Sequence, residues 1–176
     1  MNELPQDGRT RGELILRAPW LTLCYTGDTK ASEALWRGGW LHTQDIATID
    51  PQGQIQIRDR LKDVIKTGGE WIDSIHLEEL VATAEGFAEA SVIAVPDVKW
   101  GERPLAVIVA RLGATPTLDL LNVPVEKAIA EGVITRYARL DQFEIVDQLP
   151  LTSVGKIDKK VLRARFADAV EVTAQP

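Results

Sequence analysis

The segment Leu149-Pro150-Leu151-Thr152-Ser153-Val154-Gly155-Lys156-Ile157-Asp158-Lys159-Lys160 holds one lysine, Lys156, on a glycine-hinged loop just ahead of a helical pattern. Pro150 fixes one backbone dihedral, Gly155 opens conformations closed to other residues, and Thr152 and Ser153 offer hydroxyls to the nearby backbone. The loop is therefore shaped, and the ammonium it presents suits a phosphate or an oxyanion that develops during a reaction. Gly-Lys before a helix is common, so its meaning depends on what surrounds it. Cys24, His42 and His76 read as packing or surface residues, because none has a partner at a metal-ligand or nucleophile spacing, and no metal site is expected.

The elements that must carry this loop change character along the chain. Gly12 to Pro19 is a short strand candidate closed by proline, and Trp36 to Trp40 surrounds a Gly38-Gly39 turn. Ala47 to Ile49 and Gln54 to Arg58 flank Asp50-Pro51-Gln52-Gly53, where proline second and glycine fourth fit a type I turn joining a hairpin. A sheet this small leaves edges and an apolar face to cover, so residues 1–59 read as the β-rich end of a larger domain. The charged run Asp59-Arg60-Leu61-Lys62-Asp63 marks a boundary, with 60–62 as the connection and an α/β pattern following over 63–168.

In that second part Ser74 is the expected N-cap of a helix whose stripe is Leu77, Leu80, Val81 and Ala84, ending near Gly86. Ala90 to Val95 and Leu105 to Ala110 are apolar enough for buried strands, joined by a polar loop from Pro96 to Pro104. Val125 to Gly132 and Ile134 to Ala138 are compatible with helix, and Gln142 to Val146 returns to strand. Lys159 to Phe166 carries Val161, Leu162 and Phe166 at helical spacing, and 169–176 is expected to fray. The fold class is therefore α+β, a short mixed sheet with packed helices after a β-rich remnant.

With 176 residues and 45% apolar content the chain can build a real core. A formal net charge of -6 argues against nucleic-acid or anionic-membrane binding, which need a basic face. No integral membrane segment is expected, since no apolar run approaches about 18 residues. A single cysteine excludes an internal disulfide, and a cytoplasmic location is the expectation.

Several separated segments agree on one family: the chain from about Gly12 to Phe166 resembles the C-terminal part of the adenylate-forming acyl-CoA synthetases, relatives of luciferase and of peptide-synthetase adenylation domains. Gly39-Trp40-Leu41-His42-Thr43-Gln44-Asp45 is similar to a family block whose aspartate binds the ribose of ATP, which implies that role for Asp45. The family has glycine where this chain has Gln44. Asp59-Arg60-Leu61-Lys62-Asp63 resembles the family's hinge block, implying a ribose contact for Arg60 and the pivot at Lys62. Lys66-Thr67-Gly68-Gly69-Glu70-Trp71-Ile72 resembles the loop that swings in for thioester formation, and its wording is closest to fatty-acyl and medium-chain acyl ligases. The resemblance assigns Lys66, Gly68, Gly69, Glu70 and Trp71 to this CoA-facing loop, where paired glycines let backbone approach a pantetheine arm. Lys156 stands where the family's last block has the lysine that bridges carboxylate and α-phosphate during adenylation.

The resemblance implies an AMP-forming carboxylic acid-CoA ligase, with ATP and CoA as substrates, Mg2+ accompanying ATP, and a large N-terminal domain as partner. The phosphate loop, acyl pocket and adenine shelf of that domain have no match here, so the chain alone is expected to be inactive. A free-standing binding or regulatory domain, and an adenylation domain loading a carrier protein, are the other readings the blocks allow.

Overall fold

Antiparallel pairing organises the first part of the chain. In the computed structural model, which describes residues 3–166, β1 (Gly12–Leu16), β2 (Leu41–Ile49) and β3 (Ile55–Arg60) form a three-stranded antiparallel sheet in that order. The turn between β2 and β3 is closed as the sequence requires: Gly53 N donates to the Asp50 carbonyl at 2.9 Å with a φ of 79°, and Asp50 Oδ1 accepts from Gln52 N and Gln54 N. A short helix absent from the sequence reading, α1 (Thr29–Leu35), starts where Asp28 accepts a capping bond from Ala31 N. The sheet buries Ile46 and Ala47 but leaves Ile55 and Ile57 half exposed. The expected frayed tail, 169–176, and residues 167–168 lie outside the described residues.

The chain divides after Lys62 into two compact units. The second is built on a five-stranded mixed sheet ordered β5-β4-β7-β6, with β8 parallel to β7. Its strands are β4 (Ile65–Thr67), β5 (Glu70–Ile72), β6 (Phe87–Asp97), β7 (Gly101–Ala110) and β8 (Gln142–Ile145). Its helices are α2 (Ser74–Ala82), α3 (Leu118–Ala130) and α4 (Lys159–Phe166). Both faces of β7 are covered, which explains its unbroken apolar run. Ala106 and Ile108 point into a cluster with Leu77, Val81, Leu121 and Val125 of α2 and α3, while Leu105 and Val107 point into one with Leu162 and Phe166 of α4. Each of the valine, leucine, isoleucine and phenylalanine side chains among them, withdrawn from water, contributes about 1.5–3 kcal/mol.

Three expectations are corrected. The loop expected from Pro96 to Pro104 is only a tight reversal at residues 98–100, because β6 and β7 stay paired from Asp97↔Gly101 outward. The N-cap of α2 is Asp73 rather than Ser74, whose hydroxyl instead accepts from Lys159 Nζ at 2.8 Å. Finally, α3 begins seven residues before Val125, with Thr117 capping Leu120 N and Pro124 inside the helix; Ile134 to Ala138 contains only a 3-10 turn, Arg136–Ala138.

Candidate active site

In the first unit the antiparallel register sets Asp45 of β2 directly opposite Arg60 of β3. Arg60 Nε lies 3.4 Å from Asp45 Oδ1, with the arginine largely exposed. An acceptor and a fork of donors thus stand side by side at one end of the sheet, able to meet vicinal hydroxyls. Gln44 has a φ of 62°, the left-handed region, and is the one non-glycine there among the described residues. Its carbonyl accepts from Leu61 N at 2.8 Å and its amide donates to Glu13 Oε1 at 3.2 Å, so the backbone is held in that conformation from both sides. His42 sits buried between Glu13 Oε2 and the Arg37 carbonyl, as a packing residue does. Lys62 is the last residue of this unit.

In the second unit β4 and β5 form a hairpin that sets Lys66 beside Trp71 and Thr67 beside Glu70, with Gly68-Gly69 at the tip. Both glycines need positive φ, 58° and 84°. Gly68 N donates to the Trp100 carbonyl at 3.0 Å, and Lys66 N donates to Glu102 Oε2 at 2.7 Å. A Cβ on Gly68 would meet the rings of Trp100 and Tyr137 at 3.2 and 3.3 Å, whereas one on Gly69 would meet nothing within 4 Å. The tip is therefore walled on one side and open on the other.

That wall contains residues the sequence reading did not single out. Trp100 and Tyr137 stack at a tilt with centroids 5.4 Å apart, Lys99 lies 4.7 Å over the Trp100 ring, and Arg136 lies 5.2 Å over the Tyr137 ring. Lys66 lies 5.9 Å over Trp71. The Tyr137 hydroxyl, accepting from Arg136, raises the pKa of that guanidinium, with Glu70 adding to the same effect. Trp100 and Tyr137 thus wall one side of the glycine tip, with Lys99 and Arg136 over their rings and Lys66 over the Trp71 ring at the next register position. Trp100 falls in the segment read from sequence only as a polar loop between strands, and Arg136 and Tyr137 carry no local signal.

Lys156 stands on a hairpin closed on itself. Leu151 bridges Ile157, Thr152 N donates to the Lys156 carbonyl at 2.7 Å, Gly155 N donates to the Thr152 carbonyl at 2.9 Å, and Gly155 has a φ of 77°. Asp158 then caps α4, accepting from Lys160 N and Val161 N. The base is anchored: Lys159 Nζ lies 2.8 Å from Glu78 Oε1 of α2, and Arg163 Nη1 lies 2.6 Å from Asp63 Oδ1. Lys156 itself is exposed, and among the described residues its ammonium has no partner. The unit therefore carries two separate exposed loops, one with a glycine tip walled on one side by aromatic rings, the other ending in a cation without a partner among the described residues.

Among the described residues no group of three or more His, Cys, Asp or Glu could hold a metal ion, and no helix is long and apolar enough to cross a membrane.

Residues 76–156 match the family model for the AMP-binding enzyme C-terminal domain. The chain is 43% identical over 170 residues to a 3-methylmercaptopropionyl-CoA ligase of Ruegeria lacuscaerulensis, covering 96% of this chain and 30% of that protein. It is 42% identical to a long-chain-fatty-acid-CoA ligase of Thermus thermophilus, covering 93% of this chain and 29% of that one. The crystal structure of ATP-bound MatB from Rhodopseudomonas palustris superposes with a TM-score of 0.79 at 27% identity, over 94% of this chain and 32% of that chain. The chain thus spans about 30% of the length of the curated relatives it matches.

Proposed function

We propose that the chain, whose residues 76–156 match the AMP-binding enzyme C-terminal domain, serves as the C-terminal part of an adenylate-forming, AMP-releasing ligase joining an aliphatic carboxylic acid to CoA. The observation that carries the reading is the pair of loops on one unit: each fits one half of a two-step reaction. In the first step a carboxylate oxygen attacks the α-phosphorus of ATP and the bond to pyrophosphate breaks. Lys156 offsets the negative charge gathered on the carboxylate and α-phosphate oxygens, as an exposed cation on a stiff loop is suited to do. Asp45 and Arg60 hold the ribose hydroxyls.

In the second step the CoA sulfur attacks the acyl carbonyl and AMP leaves. Lys62 is the pivot about which the second unit withdraws Lys156 and brings in the loop of Lys66, Gly68, Gly69, Glu70 and Trp71. The open side of Gly69 admits the pantetheine arm. Trp71, Trp100 and Tyr137 offer stacking faces for the adenine, and Lys66, Lys99 and Arg136 meet the phosphates of CoA.

Mg2+ enters as the companion of the ATP phosphates. The described residues offer it no carboxylate cage, and no step of this chain runs through it. The large N-terminal domain is the partner that supplies the acyl and adenine pockets, and a cytoplasmic location belongs to the same reading. The test is to measure the two half-reactions separately in the full-length protein. Lys156→Ala should slow pyrophosphate release about 10²- to 10³-fold and spare thioester formation from a supplied acyl-adenylate. Lys62→Pro should do the reverse, and equal losses in both steps for both variants would sink the reading.

A further inference from the structure

Arg103 is a buried cation that belongs to neither loop. It is the third residue of β7 and only 8% exposed. Its guanidinium is spread over three segments. Nε and Nη2 meet Asp141 Oδ2 at 2.8 and 2.5 Å, Nη1 donates to the Tyr137 carbonyl at 2.7 Å, Nη2 donates to the Arg139 carbonyl at 2.9 Å, and Nη1 lies 3.5 Å from Thr67 Oγ1. Asp141 is half exposed, so the ion pair itself adds little stability, and the value of the buried guanidinium lies in the geometry of its other bonds.

The three segments are the ones that build the CoA-facing surface. Thr67 is fully buried and immediately precedes Gly68. The 3-10 turn held through its Tyr137 carbonyl carries the ring that packs against Trp100 and limits Gly68. Asp141 and the Arg139 carbonyl fix where that turn leaves for β8. Only a planar fork with five donors reaches all of these at once, and a lysine in its place would lose most of them.

We propose that Arg103 is a positioning residue for the thioester-forming step: its guanidinium ties the Tyr137 turn to the β4 strand, so that the aromatic wall and the Gly68-Gly69 tip are set as one surface before CoA arrives. This rests on the CoA reading of that tip. Arg103 touches no substrate, and its loss should be felt in the affinity for CoA rather than in adenylation.

The experiment compares the full-length ligase with its Arg103→Met, Arg103→Lys and Asp141→Asn variants, and with Val81→Ala as a core truncation of the same unit. The KM for CoA, kcat of the thioester step and the rate of pyrophosphate release are read for each, and the Gly68 amide NMR shift is read in the 176-residue chain. Arg103→Met should raise the KM for CoA about tenfold, leave pyrophosphate release within about twofold, and move the Gly68 amide, which sits against two rings. Arg103→Lys should recover little, and Asp141→Asn, which removes an exposed charge without emptying the core, should show a smaller rise of the same kind. A KM for CoA in Arg103→Met no higher than in Val81→Ala, or an equal loss in both half-reactions, would overturn the role of Arg103 alone. A wild-type enzyme that forms acyl-adenylate and never a CoA thioester would overturn the ligase reading and this proposal together.

Discussion

A Cβ placed on Gly68 would stand 3.2 Å from the Trp100 ring and 3.3 Å from the Tyr137 ring, whereas nothing lies within 4 Å of the same point on Gly155. Both glycines hold positive φ, 58° and 77°, and both sit in loops assigned to the same reaction. The first loop takes its shape from neighbours; the second takes it from its own backbone bonds and from an anchored base. The difference has a functional meaning. In the proposed reading, the loop pressed against rings is already part of a surface that CoA meets, whereas the self-closed hairpin carries its ammonium into a site made by other residues.

The largest effect should come from the anchor beneath the Lys156 hairpin. Glu78 Oε1 accepts from Lys159 Nζ, Ser91 Oγ and Val92 N at 2.8, 2.9 and 2.8 Å, and the Lys159 and Glu78 side chains are 14% and 19% exposed. Glu78→Ala leaves a strand amide without its acceptor and a mostly buried ammonium without its counter-charge, held only by the Ser74 hydroxyl, which should cost about 3 kcal/mol. Thermal or urea unfolding of the chain measures it. Lys156→Ala, by contrast, should leave the unfolding midpoint unchanged within about 0.5 kcal/mol, since it touches only solvent. A large loss of stability in Lys156→Ala would erase the contrast between anchored base and free tip.

The two glycines give a sharper version of the comparison. Gly155→Ala should cost only the left-handed backbone, about 1–2 kcal/mol. Gly68→Ala adds a collision with two rings that Gly68 itself helps to seat, bringing the total to about 3 kcal/mol. The measurement is the difference between the two unfolding free energies. Equal costs would mean that the aromatic wall yields and that the Gly68 loop is no better defined than the other.

Much of this was legible in the sequence because local rules and tertiary demands agree. The Asp50-Pro51-Gln52-Gly53 turn, the α4 stripe of Leu162 and Phe166, and the apolar run of β7 all follow from dihedral limits and burial. The β6-β7 reversal was hidden for the opposite reason: Pro96 and Pro104 signal a loop, yet their partners in the ladder, Glu102 and Ala94, keep the strands paired around them. Lys156, Gly68 and Gly69 were visible as motif residues. Arg136, Tyr137 and Arg103 were not, because their importance comes from a turn 34 to 36 residues away in sequence folding back onto β7 and β4. No window along the chain contains that relation.

Gln44 supplies the smallest and most direct test of whether a left-handed backbone is fixed by its own residue type or by its neighbours. Its φ of 62° falls at the position where the resemblance implies glycine, so the sequence departs from the pattern while the backbone does not. The bonds to Leu61 N and Glu13 Oε1 hold the conformation, and the glutamine side chain bears its strain. Gln44→Gly removes that strain but gives the unfolded chain more freedom, so the two effects partly cancel. The net result should be a gain of about 0.5–1 kcal/mol, read as a higher unfolding midpoint with an unchanged denaturant slope. A loss of stability instead would mean that the glutamine side chain makes contacts worth more than its strained backbone, and that at this position, as at Gly68 and unlike Gly155, the surroundings rather than the local chain set the shape.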